Sequence, residues 1–304
     1  MTTAAVDEHI RRLPAESLRP YVAWYTGYRQ RAVAPALHRG LPSPLLTLIF
    51  TLDEPMTLLA HPDPGQRPGD WTTLVGGLHT SPALISHQGA QSGVQIGLRP
   101  LGARALLGLP AGELAQLDVP AEAVLGPSGA RIHEWIRAAP GWPERFAVLD
   151  EIFLTLLSPK GAVAPEVAWA WRLLLRSGGT TPVARLAAAT GWSERHLNGR
   201  FRTEIGLSPK AAARVVRFDR ARRRLALRSA GQGAGSAGQG AGSAGQGAGA
   251  GYGLAALAAD CGYFDQAHLA REFRALAGCP PSQWLAEEFR NIQAGVWPTG
   301  EGLP

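Results

Sequence analysis

Between residues 18 and 99 the apolar positions fall in short, partly alternating runs broken by proline and glycine, the pattern of β-strands. The runs 21–31, 45–52, 56–61, 71–78, 83–87 and 94–98 are read as strands. Turn signals such as His61-Pro-Asp-Pro-Gly65 and Gly89-Ala-Gln-Ser-Gly93 lie between them. Several short strands at this spacing predict a small sandwich or barrel. The period then changes. Phe146, Leu149, Ile152, Phe153, Leu156 and Leu157 make one apolar stripe at helix spacing. Residues 159–165, small residues bracketed by two prolines, read as a domain joint, and Pro165 as the first position of a helix that ends before Gly178-Gly179. The fold class expected is α+β: an N-terminal mainly-β sandwich or barrel with C-terminal helices, then an all-α domain.

The helical half contains an internal repeat. Leu186-Ala-Ala-Ala-Thr-Gly-Trp192 matches Leu257-Ala-Ala-Asp-Cys-Gly-Tyr263 at an offset of 71 residues. His196, Leu197, Phe201, Gly206 and Pro209 then match His268, Leu269, Phe273, Gly278 and Pro281 at an offset of 72, so the second copy has one extra residue in its turn. Two copies of one supersecondary unit are implied, and the unit reads as helix-turn-helix. In the first, Thr181 is expected to cap a helix that begins at Pro182, Gly191 makes the turn, and Ser193 caps a second helix ending at Gly206. In the second, the first helix covers 254–260, Gly262 turns the chain, Asp265 caps, and Gly278 ends the second helix. Ser208-Pro209 starts a connecting helix to about Arg228, with Ala211, Val215, Phe218, Ala221 and Leu225 on one stripe and Arg214, Arg217, Arg220 and Arg224 elsewhere. The repeat Gly-Gln-Gly-Ala-Gly-Ser-Ala from Gly231 has no apolar face and predicts a flexible linker.

Charge sharpens this reading. Residues 1–164 carry 13 Lys/Arg against 14 Asp/Glu, whereas 165–304 carry 17 against 10, a net of +7. Most of the excess lies between 180 and 230, and nearly all the cations are arginine. A concentrated excess of this kind suits a polyanionic partner. The two cysteines, Cys261 and Cys279, are too few for a disulfide framework and are expected to be reduced and buried in a cytoplasmic protein. No apolar run is long enough for a membrane span, and the N-terminus lacks the layout of a secretory signal.

The segment Gly262-Tyr-Phe-Asp-Gln-Ala-His-Leu-Ala-Arg-Glu-Phe-Arg274, followed by Gly278-Cys-Pro-Pro281, resembles the AraC/XylS family of bacterial transcriptional regulators, and the resemblance extends over about 182–284. It implies seven helices forming two helix-turn-helix units joined by the long helix, with double-stranded DNA as partner. It implies base contacts from Arg195, Asn198 and Gly199 in the first recognition helix and from Ala267 and Arg271 in the second. Gly199 and Ala267 offer no polar group to a base edge, so Arg195, Asn198, Gln266 and Arg271 must carry more of the specificity. Arg202, Lys210, Arg214 and Arg274 complete the expected DNA-contacting set, with Lys210 and Arg214 on phosphate. The domains expected are 1–160 for effector binding and dimerisation and 165–290 for DNA. The second comprises unit one at 182–206, the connecting helix at 208–228, the insertion at 229–253 and unit two at 254–278, before a tail at 291–304.

The N-terminal half is less specific. Its run Gly93-Val-Gln-Ile-Gly-Leu-Arg-Pro-Leu-Gly-Ala-Arg104 resembles regulators whose sensor halves have no assigned ligand. By the same resemblance this half is expected to bind a small-molecule effector and the chain to act as an activator that contacts RNA polymerase, with repression the open alternative. The apolar helix at 144–157 is expected to make a homodimer, against the equal alternative that it packs within the chain. Trp24, Tyr25, Trp71 and His79 are candidates for lining an effector pocket, against the alternative that they are core. His38, His61, His79 and His87 lack the spacing of a metal-binding cupin, Ser81 and Ser86 lack a hydrolase elbow, and no cysteine is present in this half. No enzyme activity and no cofactor are therefore expected. An enzymatic domain of unrecognised chemistry fused to the DNA-binding half remains the alternative.

Overall fold

The computed structural model describes residues 5–158, 162–235 and 249–288. The N-terminal half is built on antiparallel strands: β1 (Val6–Arg12), β2 (Val22–Arg31), β3 (Ala36–Gly40), β4 (Leu46–Thr51), β5 (Met56–Ala60), β6 (Gly69–Trp71), β7 (Thr73–Gly76), β8 (Ala83–His87), β9 (Gln91–Leu98) and β10 (Asp118–Val119). They form a six-stranded sheet in the order β1-β2-β9-β4-β7-β10 and a four-stranded sheet in the order β3-β8-β5-β6. Period-two alternation decides what each face meets. Leu46, Leu48 and Phe50 of β4 join Tyr25, Val94 and Ile96 in a core beneath helices, whereas Ile49 and Leu74 turn to the other sheet and meet Leu58 and Ile85.

Helices α1 (Ala103–Leu107), α2 (Ala121–Leu125), α3 (Pro127–Ala138) and α4 (Trp142–Leu156) cover the larger sheet. In α4, Phe146, Leu149, Ile152 and Phe153 are buried in this core, with Phe146 stacked on Tyr25 at 5.9 Å. Most of the stripe expected to make a dimer contact is thus consumed within one chain, because an apolar helix face beside an uncovered sheet gains most by closing on it. That removes the motive for assigning dimerisation to this helix.

The C-terminal half comprises α5 (Pro165–Arg176), α6 (Val183–Thr190), α7 (Glu194–Ile205), α8 (Pro209–Gly235), α9 (Gly249–Asp260), α10 (Gln266–Ala277) and α11 (Pro281–Glu288). One continuous core runs through it, from Trp171, Leu186, Leu197 and Phe201 to Val215 and Phe218 on α8, and on to Leu257, Leu269, Phe273 and Trp284. Cys261 and Cys279 are buried there. Three details differ from the sequence expectation. Pro182 takes the cap position of α6, with no side-chain cap bond, so Thr181 does not cap it. The connecting helix α8 continues past Arg228 to Gly235, and α9 begins at Gly249 rather than 254. Extending an existing helix by about two turns requires no new nucleus, which lowers the barrier to continuing α8 into the Gly/Ala-rich tract. The middle of the expected linker and the tail at 291–304 lie outside the described residues. Among the described residues, no helix is long and apolar enough to cross a membrane.

Candidate DNA interface and effector cavity

The two repeat copies fold alike down to single hydrogen bonds. Gly191 and Gly262 take the left-handed backbone conformation, φ 70° and 76°, that each tight turn requires. Ser193 Oγ accepts from the backbone N–H of His196 at 3.2 Å, and an Asp265 carboxylate oxygen accepts from that of His268 at 2.6 Å. Each cap removes one orphan donor at the start of the second helix. The aromatic after each turn glycine meets that histidine edge-on, Trp192 to His196 at 4.6 Å and Tyr263 to His268 at 5.2 Å. Gly206 and Gly278 then end α7 and α10 in left-handed caps.

A cavity of about 90 Å³ lies between the sheets and opens toward α8. Its wall includes Trp24, Leu45, Ile49, Met56, Leu58, Leu74 and Ile85 from the β-domain and Arg222 and Arg223 from α8. Arg11, over the face of Trp24 at 5.2 Å, also lines it. Burial, and then the nearby Arg223 cation, lower the Arg11 pKa below its ordinary value. Asp219 bonds Arg222 at 2.7 Å and Arg223 at 2.8 Å. Burial alone would raise its carboxyl, but Arg223 and Arg222 outweigh that and hold it below the usual carboxylate range. Three guanidiniums and one carboxylate leave this end of the cavity cationic.

The other polar wall is His79 and Asp118. The His61 ring bonds Asp118 through Nδ1 at 2.8 Å and the Arg67 carbonyl through Nε2 at 3.1 Å, while His79 Nδ1–H donates to the Ser81 carbonyl at 2.6 Å. Burial raises the Asp118 pKa and lowers that of His79. Perturbed groups at a cavity are what an enzyme would show. Here both His61 nitrogens and the His79 Nδ1–H are committed to structural partners, and the one serine of the wall, Ser43, donates its hydroxyl to the Leu45 carbonyl at 3.0 Å. Of the four residues considered for an effector pocket, Trp24 and His79 line this cavity. Tyr25 is core, its hydroxyl donating to Asp150 at 3.1 Å, and Trp71 packs beside the inter-sheet cluster.

Residues 10–120 match the family model described as Domain of unknown function (DUF6597). No curated protein matches the chain. Among solved structures, it is similar to ToxT from Vibrio cholerae, at 10% identity over 86% of this chain and 97% of that one, with a TM-score of 0.47. Unsaturated fatty acid-bound ToxT from strain SCE256 aligns at 10% identity over 91% and 97%, with a TM-score of 0.48. The AraC-like transcriptional activator CuxR aligns at 14% identity over 74% and 88%, with a TM-score of 0.30. A β-domain precedes two helix-turn-helix units that share a core with one long helix.

Helices α7 and α10 are the second helices of the two helix-turn-helix units and carry most of the residues expected to contact DNA. Arg195, Gly199 and Arg202 are exposed on α7 and Asn198 is half-buried; Gln266, Ala267, Arg271 and Arg274 are exposed on α10. Lys210 is exposed at the start of α8. Arg214 stands apart. Its Nε donates to Glu272 at 2.7 Å, and Arg217 reaches the same carboxylate at 3.6 Å, so Arg214 ties α8 to α10 and any phosphate contact must compete with that bond. Sequence reasoning missed Glu272, whose only signal was a carboxylate inside a basic helix beside Arg271. Gly199 is not demanded by packing, because a β-carbon there would meet nothing within 4 Å. Gly199→Ala is expected to stabilise the fold by about 1 kcal/mol through helix propensity. Urea unfolding that shows no gain would contradict an unstrained mid-helix position.

Proposed function

We propose that this protein is a sequence-specific DNA-binding transcriptional regulator whose β-domain binds a small-molecule effector. The observation that carries the reading is the duplicated helix-turn-helix on one core, with polar and basic side chains exposed along both recognition helices. Recognition helices that enter successive major grooves on one face of the duplex must be about 34 Å apart, and a helix such as α8 can hold two units at a fixed separation. Arg195 and Arg271 are suited to guanine and Asn198 to adenine, through bidentate pairs. Lys210 supplies phosphate attraction.

The cavity supports the effector half of the reading. Its apolar walls suit a hydrocarbon body, and Arg11, Arg222 and Arg223 suit an anionic group at one end. Solved ToxT structures hold an unsaturated fatty acid and a naphthalenyl butenoic acid, both carboxylic acids. A cavity wall drawn from both halves gives the effector a direct purchase on α8.

The test is a binding titration of the full-length chain on duplex DNA selected from a random pool, repeated across salt concentrations. If about six phosphates are neutralised, log K falls with log salt at a slope near −5. Arg195→Ala is expected to cost about 1–3 kcal/mol on the selected site and to relax one or two base pairs. No enrichment of any sequence, or a slope near zero, would refute DNA recognition.

A further inference from the structure

We propose that Phe264 is an apolar DNA reader, the one residue the second helix-turn-helix adds to the repeat in order to touch a thymine methyl in the major groove. The proposal rests on the reading of the protein as a DNA-binding regulator and goes beyond the contacts that reading assigns.

The argument starts from the repeat. In the first unit the turn glycine and the capping residue, Gly191 and Ser193, are two positions apart; in the second, Gly262 and Asp265 are three apart. Everything around this step is equivalent. Trp192 and Tyr263 follow their glycines and pack edge-on against His196 and His268, and both caps bond the backbone of those histidines. The extra residue is therefore Phe264, which has no counterpart in the first unit.

The fold makes no use of its side chain. Phe264 is 93% exposed, whereas the next most exposed large apolar residue among those described, Leu37, is at 50%. Among the described residues only its backbone is engaged, the N–H donating to His268 Nδ1 at 3.4 Å. An aromatic ring held in water is unfavourable unless a partner covers it. Its position names the partner. Phe264 stands immediately before the cap of α10, next to exposed Gln266 and Ala267 and on the helix that exposes Arg271 and Arg274. In a helix-turn-helix the N-terminal residues of the recognition helix are those brought to base edges. The cations of this helix draw in the phosphate backbone. The major-groove feature an apolar ring recognises is the C5-methyl of thymine. Ala267, which has no hydrogen bond to offer a base, leaves that edge to an apolar contact.

The experiment selects sites from a random duplex pool with the full-length protein and with Phe264→Ala, then measures affinity for the wild-type site with each thymine replaced by deoxyuracil. The wild type is expected to fix a thymine at one position in the half-site of the second unit and to lose about tenfold in affinity when that methyl is removed. Phe264→Ala should bind about tenfold more weakly, select no thymine there and ignore the methyl, while Phe264→Leu keeps part of the preference. Unfolding curves for the variants should overlay the parent, since the ring is outside the core. Identical selected sites and affinities for wild type and Phe264→Ala would overturn the proposal, as would a wild-type site with no methyl-dependent thymine. A change in molecular mass with Phe264→Ala would make the ring a protein contact and equally overturn it. If the wild type selects no DNA, the regulator reading falls as well; if it selects a site that the variant shares, only the role of Phe264 falls.

Discussion

Replacing Arg104 with alanine is expected to separate the two halves of the molecule, costing about 2–3 kcal/mol and splitting one unfolding transition into two. Arg104 lies on α1, at the end of the Gly93–Arg104 run, and grips Glu204 of α7 with two bonds, Nε at 2.7 Å and Nη2 at 3.0 Å. The Glu204 side chain is 3% exposed and that of Arg104 is 32% exposed. A fully buried pair broken on one side costs about 3–5 kcal/mol, and an exposed one less than about 1. This pair falls between. Glu204 is also the penultimate residue of α7, where the helix dipole disfavours a carboxylate, so Arg104 neutralises a charge that the helix itself repels.

The backbone closes the same joint. A β-carbon on Gly112 would lie 2.3 Å from the Thr203 carbonyl oxygen and 2.5 Å from that of Arg202, so only glycine lets the N-terminal half approach the end of α7 this closely. Glu204→Gln should cost less than Arg104→Ala, and the double variant should recover part of the loss, because the penalty comes from a buried charge left alone. Denaturant unfolding followed by tryptophan fluorescence and by circular dichroism reads this directly. Coincident and unshifted transitions in Arg104→Ala would mean that the pair does not hold the halves together.

How much of this was legible in the sequence depended on whether each feature leaves a local period. The strands β2, β4, β5, β8 and β9 were readable because their apolar residues alternate or cluster between turn residues. Strand β1 was not, because Val6-Asp-Glu-His-Ile-Arg-Arg12 is polar on both faces and only shallowly buried, and is a strand by virtue of pairing with the edge of β2. The five residues of β3 and the two of β10 are likewise held by their partners, β8 and β7. The helix-turn-helix units were the clearest feature, because duplication repeats glycine, cap and core residues in register.

Contacts between the halves left no trace of this kind. Arg104 and Glu204 are 100 residues apart, and Arg39 and Glu287, which meet at 2.9 Å, are 248 apart. Complementary charges at such distances are indistinguishable from any other surface charges until the chain is folded. The Arg214 bond to Glu272 was illegible for the same reason. In sequence it is one cation among many on a basic helix, and only the fold sets it against Glu272.

The second large effect expected is on the reach of the protein along DNA. Phe273→Ala should destabilise the C-terminal half by about 3–5 kcal/mol and shorten the protected DNA to the half-site of the first unit. Phe273 is 1% exposed and fixes α10 on α8 by an edge contact with Phe218 at 5.0 Å, with Trp284 of α11 at 5.8 Å on its other side. Truncating it opens a cavity where the two elements meet, and large-to-small changes of this kind cost several kcal/mol because the surroundings relax only in part. The half-buried bond from Arg214 to Glu272 then remains between the two helices, but one ion pair does not replace the lost aromatic packing. Phe201, the matching residue of the first unit, packs on Trp171 at 6.1 Å and belongs to the other end of the core, so the first unit should keep its grip. The same packing predicts that one more copy of Gly-Gln-Gly-Ala-Gly-Ser-Ala added to the tract leaves half-site spacing unchanged, since a longer connection adds less than about 1 kcal/mol of closure entropy. Footprinting of the two variants separates packing from tether: if Phe273→Ala protects the full site, or the lengthened tract accepts wider spacings than the parent, the tether rather than the core sets the distance between the reading heads.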